Sequence, residues 1–243
     1  ALPRLIGSAT LIMFVPALEA DRGPLSPGRR FARLRAEVDE LVLAELAERR
    51  SAPPGQPRDD VLSLLLAARD EEGRGMTDAE LRDELMTLLL AGHETTATAL
   101  AWTLDLVLHD ERLHERLPGS LAEGGLTYAD AVIKEVHRVR PTVPNVVRRL
   151  TAPLELGPHR LPAGAVVSPA VYLLHRRGDL YPEPQRFRPE RFLDGKAPSY
   201  AWLPFGGGIR RCIGASFATL EMQEVLRAVF TRRRLRAADL RLE

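Results

Sequence analysis

Apolar residues recur at helical spacing between Arg29 and Arg50, where Phe31, Leu34, Val38, Leu41, Val42 and Leu46 form one stripe, so the segment predicts an amphipathic helix. Residues 1–27 carry no such periodicity and read as irregular. Proline and glycine between Ser51 and Pro57 end the helix, and Val61 to Ala68 predicts a second one that stops at the charged turn Asp70 to Gly75. Thr77 and Glu80 have the spacing of a capping box, after which helix-compatible residues continue to about His109 without a proline. A helix of roughly 30 residues is about 45 Å long. Its middle, Met86 to Leu108, is apolar nearly all round and predicts a buried helix centre. Leu113 to Thr127 reads as a link, and Thr127 with Asp130 opens a further helix that Pro141 stops near Arg140.

The texture changes beyond Pro141. Val146-Val147, Leu154 to Leu156 and Ala165 to Val167 are short β-type runs separated by proline and glycine. From Leu174 to Gly208 the chain is mostly proline-rich and glycine-rich loop, and Ile213 to Phe230 returns to helix. No internal repeat or low-complexity tract is present. The expected class is mainly α (α+β), with a helical front and a mixed rear sharing one core across residues 1–243.

Composition narrows the picture. The 243 residues are 45% hydrophobic and 28% charged, as in an ordinary globular protein. Lys plus Arg number 34 against 33 Asp plus Glu, and a formal charge of +1 exerts no general pull on nucleic acid or anionic membranes. The apolar stretch Ala9 to Leu18 contains Pro16 and is much shorter than the roughly 20 residues that span a bilayer, so neither a membrane anchor nor an intact signal peptide is expected. The single cysteine excludes an internal disulfide and a multi-cysteine zinc site, and it fits a reducing, cytoplasmic setting. A lone cysteine is by default a small buried hydrophobe. Its neighbours decide whether that default holds.

Those neighbours, Phe205-Gly206-Gly207-Gly208-Ile209-Arg210-Arg211-Cys212-Ile213-Gly214, fill every fixed position of F-x-x-G-x-R-x-C-x-G. The segment resembles the haem-binding loop of the cytochrome P450 family. A thiolate is favoured at a helix amino terminus, where amide donors are free. Gly206, Gly208 and Gly214 permit positive φ and close backbone approach. Phe205 is placed to shield the sulfur, and Arg210 to pair with a haem propionate. The resemblance makes Cys212 the axial ligand of haem b (iron protoporphyrin IX) iron.

Three further segments agree with it. Ala91-Gly92-His93-Glu94-Thr95-Thr96 resembles the family's A-G-x-[DE]-T-[TS] segment, where a helix distortion opens an oxygen pocket, which would give Glu94 and Thr95 catalytic roles in proton delivery. The bland alternative is that Thr95, Thr96 and Thr98 hydrogen-bond back to the helix. Glu135 and Arg138 stand at i and i+3, resembling E-x-x-R, and Arg191 in Pro189-Glu190-Arg191-Phe192 would complete a structural Glu-Arg-Arg cluster. Arg148 is similar to a propionate-binding arginine, with Arg149 an adjacent competitor, while His175 reads as a satisfied structural histidine.

The resemblance covers about Arg29 to Phe230 and implies the carboxy-terminal part of a single cytochrome P450 domain, with the oxygen-activation helix at about 77–109 and the cysteine loop at 205–214. The expected activity is insertion of one atom of dioxygen into a small hydrophobic organic substrate. Electrons would come from a ferredoxin or flavodoxin-type donor served by an NAD(P)H reductase, because no flavin, nicotinamide or iron–sulfur module is visible in the sequence. A peroxide-driven or rearranging haem-thiolate enzyme, and a non-catalytic haem binder or inactive remnant, are the alternatives.

Overall fold

The computed structural model describes residues 3–8, 15, 18, 20, 23, 25–51, 58–193 and 200–237. The chain divides into two compact units, Ala1–Ala91 and Gly92–Glu243. The elements are α1 (3–8), α2 (Pro27–Ser51), α3 (Val61–Ala67), α4 (Asp78–Leu108), α5 (Glu111–Ala122), α6 (Thr127–Val139), β1 (Arg148–Arg149), β2 (Leu154–Leu156), β3 (His159–Leu161), β4 (Val166–Val167), α7 (Val171–Leu174) and α8 (Ala215–Arg232). The architecture is mostly helical with a small β region. Among the described residues, no helix is long and apolar enough to cross a membrane.

In the first unit the stripe read from the sequence is the one that is buried. Leu34 and Val38 of α2 pack with Leu5 and Met86, and Leu46 packs with Leu62 and Leu81. Asp60 caps α3 by accepting the Ser63 N–H at 2.8 Å, and its other oxygen holds Arg49 of α2 at 2.9 Å. The capping box of α4 forms in both directions: the Thr77 N–H donates to Glu80 Oε2 at 2.8 Å and the Glu80 N–H to Thr77 Oγ1 at 3.3 Å. Contrary to the irregular start expected, α1 is helical and buries Leu5 and Ile6. Six residues are too short for a periodic signal; tertiary packing supplies the order instead.

The core of the second unit joins α5, α6 and α8 with the last part of α4. Ala99, Val107, Leu113, Leu117, Leu121, Val132, Ile133, Val136, Met222, Leu226 and Phe230 pack in one cluster. The helix α5 replaces the link expected from Leu113 to Thr127. Its signals are local ones: Asp110 accepts the Arg112 and Leu113 N–H groups at 3.0 and 3.3 Å, and Leu113, Leu117 and Leu121 repeat every four residues. Pro118 lies inside this helix and removes a backbone donor, but the buried leucine stripe outweighs that loss.

Two antiparallel pairs make the β region. Arg148 faces Val167 in β1–β4, and Leu154 faces Leu161 in the β2–β3 hairpin. The strand expected at Val146-Val147 lies two residues later, and β3 adds a strand where none was expected. Most of these strand residues are exposed, so no buried face imprints an alternation on the sequence, and pairing alone sets the register.

The expectation of a buried centre for α4 is overturned. Thr96, Ala99, Thr103 and Val107 are buried, but Leu88, Leu89, Glu94 and Thr95 are exposed. An all-round apolar pattern shows that a helix suits burial, while burial itself needs a neighbour on each side. The helix runs without interruption from Asp78 to Leu108, through the segment where a distortion was expected.

Leu117→Ala tests the core of the second unit. Leu117 is fully buried, so the substitution is expected to lower stability by about 2–5 kcal/mol, read from urea unfolding followed by tryptophan fluorescence.

Candidate cysteine-ligand site

The site is built outward from α6. Its face toward the core is apolar, but the same helix also buries Glu135, His137 and Arg138. Both Glu135 and Arg138 have completely buried side chains. One helical turn apart, they form a two-pronged pair, Arg138 Nε to Glu135 Oε2 and Nη2 to Oε1, each at 2.8 Å. Arg138 Nη1 also donates to the carbonyls of His175 and Pro184 at 2.8 Å, and Nη2 to that of Arg186 at 3.2 Å. All five guanidinium donors are therefore used. A 3₁₀ turn at Pro189–Phe192 brings in Arg191, whose Nε donates to Glu135 Oε1 at 3.1 Å, and the Arg188 N–H reaches the same oxygen at 2.8 Å. Glu135, Arg138 and Arg191, singled out from the sequence, are thus brought together, both guanidiniums meeting Glu135 Oε1.

Residues 201–205 are held by Tyr181, Trp202 and His137, which the sequence did not single out, together with His175 and Phe205, which it did. The Tyr181 hydroxyl donates to the Ala201 carbonyl at 2.8 Å, and Trp202 Nε1 donates to the Lys134 carbonyl at 3.2 Å. The Trp202 ring meets Phe192 and Phe205 edge-on at 6.2 and 6.0 Å between centroids, and Phe205 meets His137 at 5.1 Å. His175 Nε2 accepts the Leu203 N–H at 2.9 Å. Burial pushes both His137 and His175 down to about 4, so both rings are neutral near neutral pH. For His137 and Trp202 the available signals were adjacency: one lies between Glu135 and Arg138, the other three residues before Phe205.

Beyond Phe205 the chain turns sharply. Gly206 and Gly208 adopt φ of +70° and +66°, a region that strains any residue with a side chain. The Gly206 N–H donates to the Leu203 carbonyl at 3.0 Å, a 3₁₀ turn spans Gly208–Arg210, and the Cys212 N–H closes the loop on the Phe205 carbonyl at 2.9 Å. The helix α8 starts at Ala215 with Gly214 as its cap, rather than directly after the cysteine as expected. Cys212 is exposed, as are Arg210, Ile209 and Ile213, the last two 97% and 92% accessible. This overturns the buried-hydrophobe default for the cysteine.

The remaining residues picked from the sequence lie at the surface. Arg148 is exposed and, among the described residues, donates only to its neighbouring Val147 carbonyl at 2.9 Å, while Arg149 reaches the Gly164 carbonyl at 3.3 Å. Glu94 and Thr95 are exposed on α4. Among the described residues, no three His, Cys, Asp or Glu side chains converge as a metal site. The donor set on offer is one accessible thiol beside exposed apolar side chains and guanidiniums.

The family model for cytochrome P450 matches residues 8–239. The chain belongs to the cytochrome P450 family. It is 44% identical over 208 residues to a Mycobacterium tuberculosis protein named as cytochrome P450 137, covering 86% of this chain and 44% of the relative. It is also 44% identical over 240 residues to a Mycobacterium bovis protein named as cytochrome P450 135B1, covering 95% and 50%. Among solved structures, the cyanobacterial CYP120A1 with retinoic acid bound superposes with a TM-score of 0.78 at 30% identity, over 93% of this chain and 55% of that one. The fold is therefore that of a cytochrome P450, and the chain spans about half the length of the curated relatives it matches.

Family membership implies a haem cofactor. The residues present fit one. A cytochrome P450 haem needs a thiol reachable from outside, a flat approach and cationic groups for its carboxylates. Cys212 is the only cysteine, it is exposed, and a Cβ at Gly206, Gly208 or Gly214 would meet nothing within 4 Å.

Arg138→Ala tests the cluster beneath the loop. Removing Arg138 leaves the buried Glu135 with Arg191 as its one remaining cation and takes the donor from three backbone carbonyls, so stability is expected to fall by about 3–5 kcal/mol in urea unfolding. A loss under about 1 kcal/mol, of the size surface pairs contribute, would contradict the buried geometry.

Proposed function

We propose that this chain carries the cysteine-bearing part of a haem-dependent monooxygenase, with Cys212 as the axial ligand of haem b iron. The observation that carries the reading is an exposed, single cysteine on a loop whose backbone is tied at Phe205 and which His175 links, through Leu203, to Arg138 of the buried Glu135, Arg138 and Arg191 cluster. In this reading the cluster is structural and fixes the loop. Haem bound through a thiolate supplies the electron density that favours O–O cleavage.

The chain's own residues have separable tasks. Cys212 lies three residues before α8, exposed, with Arg210 and Arg211 preceding it in the sequence. Arg210 and Arg148 are the proposed propionate partners, with Arg149 as the competitor. Both are exposed, and among the described residues neither has a carboxylate within ion-pair distance. Phe205, Gly206, Gly208 and Gly214 shape the surface on which a flat ring would lie. Glu94 and Thr95 on α4 would deliver protons, Glu94 as the source and Thr95 as the hydroxyl that orients the accepting group.

The reaction proposed is insertion of one oxygen atom from dioxygen into a small hydrophobic organic substrate, the other leaving as water. A ferredoxin or flavodoxin-type donor with an NAD(P)H reductase would supply the electrons. The single free cysteine supports a cytoplasmic setting. A peroxide-driven or rearranging enzyme would share Cys212. The Glu94-Thr95 pair favours the monooxygenase, because directed proton supply serves dioxygen cleavage.

Cys212→Ser decides the ligand. The haem-loaded protein, reduced and exposed to carbon monoxide, is expected to give a red-shifted thiolate-type band that the serine variant lacks. The same band in the variant would overturn the assignment.

Thr95→Ala tests the proton route. With the haem-loaded protein and a ferredoxin-type donor, the share of electrons appearing as hydrogen peroxide is expected to rise several-fold while haem content is unchanged. An unaltered share would return Thr95 to a role within the helix and favour the peroxide-driven reading.

A further inference from the structure

Between the buried charge cluster and the cysteine loop stands one residue that touches both. The His175 backbone carbonyl accepts Arg138 Nη1 at 2.8 Å, and its ring Nε2 accepts the Leu203 N–H at 2.9 Å. The Leu203 carbonyl accepts the Gly206 N–H at 3.0 Å, and the Phe205 carbonyl accepts that of Cys212 at 2.9 Å. A continuous series of hydrogen bonds therefore runs from Arg138 through His175 to the turn that presents the thiol.

We propose that His175 is a positioning residue for the cysteine loop, acting as a neutral ring acceptor for Leu203, and that its protonation releases the loop. The inference rests on the reading of Cys212 as the iron ligand for its functional meaning, although the tether itself lies wholly within the polypeptide.

Three observations carry it. First, an Nε2 that accepts an N–H has no proton of its own, so the ring's hydrogen is on Nδ1. Second, Nδ1 is buried and makes no hydrogen bond of full geometry among the described residues, the Arg138 backbone carbonyl being the polar group that favours its proton. Third, the ring is fully buried, which is the largest effect opposing a second proton; the Arg138 backbone carbonyl favours that proton, and the neighbouring cations oppose it. Arg138 and Arg176 are cations, His137 is a neutral ring beside them, and Tyr181 meets the ring edge-on at 6.3 Å with its phenol pushed up to about 12 by burial. Protonation would set an Nε2–H against the Leu203 N–H and place a charge where, among the described residues, no carboxylate pairs with it.

The direction of the pH effect follows. Burial holds His175 down to about 4, below the ordinary histidine value of about 6.5, so the folded state binds fewer protons than the unfolded one across that window. The tether is fully present above the ordinary value and weakens as pH falls from there through about 4.

The test is amide hydrogen exchange of Leu203 in the full chain, corrected for intrinsic rates, in wild type, His175→Gln and His175→Ala. Glutamine keeps an acceptor near the Nε2 position but does not titrate. At pH 7, protection of Leu203 is expected to be near wild type in H175Q and at least about tenfold lower in H175A, the loss of one net hydrogen bond of about 1.4 kcal/mol. Between pH 7 and 5 wild-type protection is expected to decline, while H175Q stays flat. Equal protection in all variants, or an identical decline in H175Q, overturns the proposal. Should H175A fail to fold, the comparison of wild type with H175Q across pH still decides. The readout needs no haem, so this inference and the ligand assignment at Cys212 fail independently. A lost tether leaves the carbon monoxide band of Cys212→Ser to speak for the ligand alone.

Discussion

A carboxylate and two guanidiniums taken out of water are what the second unit is organised around. Glu135 and Arg138 are completely buried and Arg191 nearly so. Desolvating three charges is costly unless each lone pair and each N–H finds a partner. Here they do: Arg138 spends all five donors, two on Glu135 and three on backbone carbonyls drawn from residues 175–186. The cost of burial is converted into positional information, because only one arrangement of that long irregular segment satisfies the guanidinium.

That constraint explains how a stretch with almost no regular structure can be ordered. Pro184, Arg186 and Arg188 contribute backbone groups to the cluster, and Arg191 contributes its side chain. The aromatic series Phe192, Trp202, Phe205 and His137 then packs the following residues against α6, and the Cys212 N–H closes the loop on Phe205. The loop is consequently braced on its inner side by α6 and open on its outer side.

The open side is as informative as the braced one. Ile209, Ile213 and Phe217 are exposed around the thiol, and Leu88, Leu89, Glu94 and Thr95 are exposed on α4. Apolar side chains in water are costly in proportion to their area, so these surfaces are suited to being covered.

Much of this is legible in the order of residues alone, and the division has a physical basis. The helices α2, α3, α4, α6 and α8 are readable within a few residues of their observed bounds because apolar periodicity, capping boxes and proline stops are local signals. The cysteine loop is readable because thiol, glycines and arginine must stand at fixed spacing along one short segment. The contact of Glu135 with Arg138 lies within one helical turn, but Arg191 joins them on family resemblance alone. Other features depend on residues far apart in sequence. The helix α5 is hidden by Pro118, whose penalty only a buried leucine stripe can outweigh. The register of β1 against β4 rests on pairing between exposed strands that carry no alternation. The exposure of the α4 centre, the burial of His137 and His175 and the tether from His175 to Leu203 are properties of surroundings rather than of a residue and its neighbours. Sequence by itself determined most of the helical segments and which loop carries the one thiol. Tertiary structure decided which of those surfaces lose their water and which polar groups must find partners when they do.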